Sequence, residues 1–133
     1  MNILTPKGFL QVGGIVLVAV GILGFFLIGP TPEQSIFGNA WWFDAYENWA
    51  HLVIGVIALI AVYGLTDAAM QKWLVGVVGI FALLAGISGF FSPNFLGANM
   101  ENPLDNILHL AIGIWALTAA YKRTGSTSQA PVI

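Results

Sequence analysis

The sequence predicts an all-α integral membrane protein, a four-helix bundle made of two tandem helical hairpins. Three observations support this fold class. Of the 133 residues, 58% are hydrophobic and only 8% are charged, a balance typical of membrane proteins rather than soluble domains. Four long apolar segments follow one another along the chain. The second pair of segments repeats the first pair, so residues 1–121 are predicted to form one membrane domain built by internal duplication.

The duplication is clearest between the second and fourth segments. Residues 47–63 align with residues 105–121 without a gap, and the only two histidines occupy equivalent positions. Identical pairs include Asn48/Asn106, His51/His109, Gly55/Gly113 and Tyr63/Tyr121. The first and third segments also align, and they share Gly14/Gly79 and Gly21/Gly86. We therefore expect parallel repeats, the first spanning 7–65 and the second 72–121, related by a pseudo-two-fold axis along the membrane normal.

The helices are predicted at about 8–29, 44–65, 72–91 and 103–121. The first is an uncharged run of about 22 residues, roughly 33 Å of helix, which is enough to span a bilayer. Asp44 and Glu47 have the spacing of a capping box at the start of the second helix. Pro103 is expected at the first position of the fourth helix, where its missing N–H costs nothing.

The charge distribution predicts the orientation. The basic residues of the chain are Lys7, Lys72, Lys122 and Arg123. They lie at the N-terminus, in the middle connection and in the tail, so by the positive-inside rule both termini face the cytoplasm and the protein is integral to the cell membrane. Loops 30–46 and 92–104 then face outward. Residues 122–133 are expected to form a flexible cytoplasmic tail.

Small residues indicate where the helices pack. Stripes of glycine let backbones approach closely, which gains contacts where lipid offers no hydrophobic drive. The glycines placed inside the bundle on this basis are Gly14, Gly21, Gly55, Gly79, Gly86 and Gly113.

The candidate polar site lies near the outer ends of the second and fourth helices. Glu47 precedes His51 by one turn, and Asp105 precedes His109 in the same way, so each acid can pair with its imidazole on one helix face. Asn48 and Asn106 accompany these pairs. In one interpretation the pairs are structural, each buried polar group being satisfied locally.

In the other interpretation the two halves share a ligand. His51 and His109 would lie at equal depth and bind one divalent metal or one haem b, with Glu47 and Asp105 as further or supporting ligands. A di-iron centre of the ferritin type needs Glu-x-x-His, whereas the acids here precede the histidines by four positions. The spacing therefore argues against that class.

These motifs carry a resemblance to a known family. The glycine-rich first helix, Asn48-x-x-His51-Leu52 and Asp105-Asn106-x-x-His109-Leu110 resemble the uncharacterised prokaryotic four-helix membrane family known as domain of unknown function 4383. The resemblance covers about residues 7–121, with Glu47 standing in the place of Asp105 in the first half. It implies the four-helix fold and draws attention to the histidines, but it implies no reaction.

The sequence favours a non-catalytic function. No nucleophile–base pair or phosphate-binding loop is present, the net charge of -2 argues against nucleic acid, and the lack of cysteine excludes disulfides and thiolate metal sites. We expect a small subunit or scaffold in the lipid bilayer that associates with itself or with a larger membrane complex. No cofactor is the default expectation. The alternative is a haem- or metal-binding protein that uses His51 and His109.

Overall fold

The computed structural model describes residues 1–122, which form an all-α bundle. Its helices are α1 (Pro6–Gly24), α2 (Ala45–Gly64), α3 (Ala68–Gly89) and α4 (Leu104–Tyr121). All four are long and apolar enough to cross a membrane. The predicted fold class is thus confirmed, and the protein is a membrane protein. Apart from Lys122, the expected tail lies outside the described residues.

Two tandem hairpins make up the bundle. Helix α1 packs along α2, and α3 packs along α4, while fewer contacts join α1 to α3 and α4. The hairpins run in the same sense, because the N-terminal ends of α2 and α4 meet at one end of the bundle. This parallel arrangement is the one that the internal repeat predicts.

Backbone contact at glycine holds each hairpin together, and the two hairpins repeat the same contacts. A Cβ added at Gly21 would lie 2.7 Å from the backbone nitrogen of Leu52, and one added at Gly86 would lie 2.8 Å from the backbone oxygen of Asn106. The other four glycines expected to pack also lie against the partner helix of their own hairpin: Gly14 against Leu59, Gly55 against Val18, Gly79 against Leu117 and Gly113 against Leu83.

Several helix ends differ from the expected ones. Helix α1 ends at Gly24 rather than near residue 29, because the backbone N–H groups of the next residues turn back to the carbonyls of Ile22 and Leu23. Helix α3 begins at Ala68, four residues early, because the Asp67 side chain caps it by accepting from Ala69 N at 2.7 Å. The polar connection between the hairpins is therefore only three residues long.

The start of α4 also differs by one residue. Pro103 is the N-cap residue, with φ -101° and ψ -5°, and Leu104 is the first helical residue. Neither Asn102 nor Pro103 provides a side-chain cap.

The loops contain short elements that the sequence does not predict. The first loop forms two single-turn 3-10 helices, Pro32–Gln34 and Gly38–Ala40. The second forms a small antiparallel hairpin of β1 (Asn94–Phe95) and β2 (Ala98–Asn99). Asn99 N donates to Asp44 Oδ2 at 2.9 Å, so the second loop is fastened to the start of α2.

At the opposite end an apolar core joins the hairpins. Phe9 of α1 lies edge-to-face with Trp115 of α4, with ring centroids 4.6 Å apart. The Trp115 indole N–H donates to Ile3 O at 2.8 Å, which ties the N-terminal segment to α4. The buried residues of this cluster are Phe9, Leu10, Ala61, Val62, Val75, Ala116, Ala119 and Ala120.

Gly21→Ala is expected to lower the stability of the protein by about 1–3 kcal/mol, because the new methyl group would press on the backbone of α2. Gly13→Ala, in the same helix, is the matched control, since its Cβ would contact only the Phe9 ring at 3.9 Å. Thermal unfolding of both variants in detergent, followed by circular dichroism, measures the difference. Equal midpoints for Gly21→Ala and the wild type would contradict the packing described above.

Candidate functional site

Three buried carboxylates from separate parts of the chain meet at the loop end of the bundle. Glu47 lies on the first turn of α2, Asp105 on the first turn of α4, and Glu101 in the loop before α4. One oxygen from each lies within 4.8 Å of the other two. Glu47 is 3% exposed, Asp105 is 1% exposed and Glu101 is 8% exposed. We call Glu47, Glu101 and Asp105 the acidic centre.

Helix capping places the first of these acids. Asp44 Oδ1 accepts a hydrogen bond from Glu47 N at 2.7 Å, so the first half of the expected capping box forms. The second half does not form, because the Glu47 side chain turns into the bundle. Within residues 1–122 no hydrogen-bond donor reaches either of its carboxylate oxygens.

Hydrogen bonds fix the other two acids. Asp105 Oδ1 accepts from the Trp41 indole N–H at 2.7 Å, and Oδ2 accepts from Glu101 N at 3.0 Å. The side-chain amide of Asn99 donates to one oxygen of Glu101. The other oxygen of Glu101 is buried and has no partner among the described residues. Both long loops therefore contribute to the acidic centre, the first through Trp41 and the second through Glu101.

The acidic centre concentrates like charge in a buried place. Burial, together with the neighbouring Asp105 carboxyl group, raises the pKa of Glu101 from 4.5 to about 8. No lysine or arginine of the described residues compensates this charge. Lys7, Lys72 and Lys122 all lie at the other end of the helices.

The histidines lie one turn deeper and do not form the expected pairs with their acids. His109 Nδ1 lies 2.7 Å from the backbone oxygen of Asp105, not from its carboxylate. The His51 ring lies edge-to-face with Phe43, with centroids 5.1 Å apart. His51 Nδ1 is buried, and no partner for it occurs among residues 1–122.

The two asparagines are packing residues at the closed ends of the hairpins. Asn48 and Asn106 are fully buried. The side chain of Asn48 covers Gly24, and that of Asn106 covers Gly89, so closely that a Cβ at either glycine would overlap the amide oxygen. Asn48 Nδ2 also donates to Phe43 O at 3.4 Å. Each asparagine thus closes the gap between the two helices of its hairpin.

Sequence reasoning missed Glu101 and Trp41 as members of the site. Glu101 is one of several acids near the predicted loops, and its spacing does not distinguish it from Glu33. Trp41 belongs to an aromatic cluster of the kind that usually lies among lipid headgroups. Both side chains reach the acidic centre because of loop conformations that no sequence motif predicts.

Comparison of the chain with protein-family models, curated proteins and solved structures finds no match. The resemblance to domain of unknown function 4383 therefore stays a prediction that depends on the glycine-rich first helix and the two histidine motifs.

The stability of the metal-free protein is expected to fall as the pH rises from about 4.5 to 8. The native state holds a proton on Glu101 up to its raised pKa of about 8, whereas the unfolded chain releases it near 4.5. Deprotonation therefore favours the unfolded chain over this range. Glu101→Gln keeps the shape of the side chain but cannot ionise. The unfolding temperature of this variant should therefore rise relative to that of the wild type as the pH increases.

Thermal unfolding in detergent with a chelator, measured at intervals from pH 5 to pH 9, gives both midpoints. Glu33→Gln is the control, because Glu33 is an exposed acid of the first loop. A difference between Glu101→Gln and the wild type that stays constant across this range would refute the assignment.

Proposed function

We propose that the protein is a non-catalytic integral membrane protein of the cell membrane, a small subunit or scaffold that associates with itself or with a larger membrane complex. The observation that carries this proposal is the enclosure of the acids and asparagines at the loop end of the bundle. Glu47, Asn48, Asp105 and Asn106 are at most 3% exposed, so a substrate cannot reach them in this conformation. The hydrogen bonds of Asp105 join α4 to both loops, and the packing of the two asparagines joins the helices of each hairpin, as expected of a structural centre.

The surface supports association within the bilayer. The exposed faces of the helices carry large apolar side chains, for example Ile57 and Ile60 on α2 and Trp73 and Val77 on α3. Such faces are suited to lipid and to the helices of other membrane proteins. The proposed partners are therefore membrane-embedded.

The proposed orientation follows from the basic residues. Lys7, Lys72 and Lys122 lie at one end of the bundle, which the positive-inside rule assigns to the cytoplasm. The two long loops and the acidic centre would then face the outside. Membership of domain of unknown function 4383 is part of the same proposal and is supported by the motifs given above.

A haem- or metal-binding function through His51 and His109 is the second candidate. One observation favours it: the contact of His109 Nδ1 with the Asp105 carbonyl is the kind of bond that holds a ligand histidine in one tautomer, with Nε2 left to bind.

Single introduced cysteines are expected to report the orientation of the protein in the membrane without background labelling, because the natural chain contains no cysteine. Asn39→Cys in the first loop and Thr66→Cys in the middle connection both replace exposed residues. In intact cells a membrane-impermeant maleimide should label Asn39→Cys and leave Thr66→Cys unlabelled until the cells are opened. The reverse pattern would overturn the orientation.

The protein is expected to co-purify with itself or with other membrane proteins after mild extraction. Two differently tagged copies expressed together, followed by pull-down and native mass spectrometry, measure this association. A monomer that brings down no membrane protein would overturn the scaffold proposal.

The visible absorption spectrum of the same purified material distinguishes the second candidate. The scaffold proposal expects no Soret band. A Soret band that is lost in His51→Ala and in His109→Ala would establish a haem protein instead.

A further inference from the structure

The acidic centre has the composition of a cation site. Its three carboxylates come from α2, α4 and the second loop, and one oxygen from each lies within 4.8 Å of the others. Like charges at this separation repel strongly in a buried environment. The cluster therefore needs positive charge, either as protons on the carboxyl groups or as a bound cation.

Orphaned oxygen atoms form the second, independent observation. Glu47 is 97% buried, and neither of its oxygens has a hydrogen-bond donor among the described residues. A buried polar group without a partner is costly, and an isolated buried carboxylate is costlier still. One of the Glu47 oxygens lies within 4.8 Å of an oxygen of each of the other two acids. Glu101 Oε2 is orphaned in the same place.

The other residues that the structure describes, within 1–122, do not supply the missing charge. The three lysines that the structure describes lie at the opposite ends of the helices. The donors that reach the centre carry no net charge: the Asn99 side-chain amide is used on Glu101, while the Trp41 indole and the Glu101 backbone amide are both used on Asp105. These last two donors orient the Asp105 carboxylate, as outer-shell donors commonly do for metal ligands.

The donor type and the burial indicate which cation fits. Carboxylate oxygens suit hard divalent ions such as Ca²⁺, Mg²⁺ and Mn²⁺. Ca²⁺ accepts about six to eight oxygen ligands in a flexible geometry, whereas Mg²⁺ gives up its waters reluctantly and is usually held by only one or two carboxylates. Three buried carboxylates on one site therefore suit Ca²⁺ better than Mg²⁺.

We propose that Glu47, Glu101 and Asp105 bind one hard divalent cation, of the Ca²⁺ class, between the two hairpins. The cation joins the start of α2, the start of α4 and the second loop, and it stabilises the loop end of the bundle. It is held by carboxylates and not by the histidines. The site does not depend on the scaffold proposal, because a monomer could bind the ion equally well.

The full-length protein, purified in detergent and stripped with a chelator, provides the test at pH 8. Calcium chloride is expected to raise the unfolding midpoint by several degrees with a saturating dose response, and isothermal titration calorimetry should give one site per chain. Magnesium chloride should act at higher concentration, and potassium chloride at equal ionic strength should have no effect. A wild type that shows neither a shift nor calorimetric binding with Ca²⁺ would overturn the proposal.

Variants locate the site. Glu47→Gln removes the orphaned charge and is expected to raise the midpoint of the stripped protein while it weakens Ca²⁺ binding by at least about tenfold. A side chain with a purely structural role would not move these two quantities in opposite directions. Glu101→Gln should weaken binding similarly, and it provides a second variant if Glu47→Gln fails to fold.

Glu33→Gln is the matched control. It removes an exposed acid from the first loop and should leave Ca²⁺ binding unchanged. Equal affinity for Ca²⁺ in Glu47→Gln, Glu101→Gln and the wild type would show that the ion binds elsewhere and would refute the assignment.

Discussion

Backbone contact at glycine is the constraint on which this bundle depends. In a bilayer, moving apolar side chains from lipid to a helix interface gains little free energy, because the lipid is itself apolar. Helices therefore associate through close packing and polar contacts. Gly21 and Gly86 let each hairpin close until the backbones touch, at the same relative height in both copies. That fixed height places Asn48 over Gly24 and Asn106 over Gly89. The acids one residue earlier, at equal depth, then face the middle of the bundle.

Different interactions hold the two hairpins together at the two ends of the bundle. At the end that carries the lysines, Phe9 packs against Trp115 and an apolar cluster links α1 to α3 and α4. At the loop end, charged groups converge, and hydrogen bonds from both loops hold Asp105 and the start of α2. Contacts between hairpins are otherwise few. The balance of charge at the loop end therefore has a large influence on how firmly the two halves hold together.

The features that repeat along the chain could be predicted, and those set by a single loop could not. Hydropathy and the duplication are enough for four helices and two parallel hairpins, and the glycine pattern identifies the packing faces. Glu47 and Asp105 could be placed at the same end because both open a repeated helix. The early end of α1 and the early start of α3 depend on local hydrogen bonds, such as the cap from Asp67, that compete with an uninterrupted apolar pattern. The position of Glu101 depends on the β-hairpin of its loop, which has no counterpart in the first repeat.

The break in the repeat at Glu101 explains why the centre is suited to one ion and not to two. At the offset that aligns Glu47 with Asp105, the counterpart of Glu101 is Phe43. Phe43 is buried against His51 and Trp41, where it fills apolar space beside the first imidazole. A strictly symmetric centre would carry four acids if both of these positions were acidic, and only two if neither was. The duplication instead supplies one carboxylate from each copy, and the second loop adds a third from one side only. When all three acids are ionised, the cluster carries a formal charge of -3. One divalent cation brings this charge to -1, whereas two such ions would leave the buried cluster positively charged.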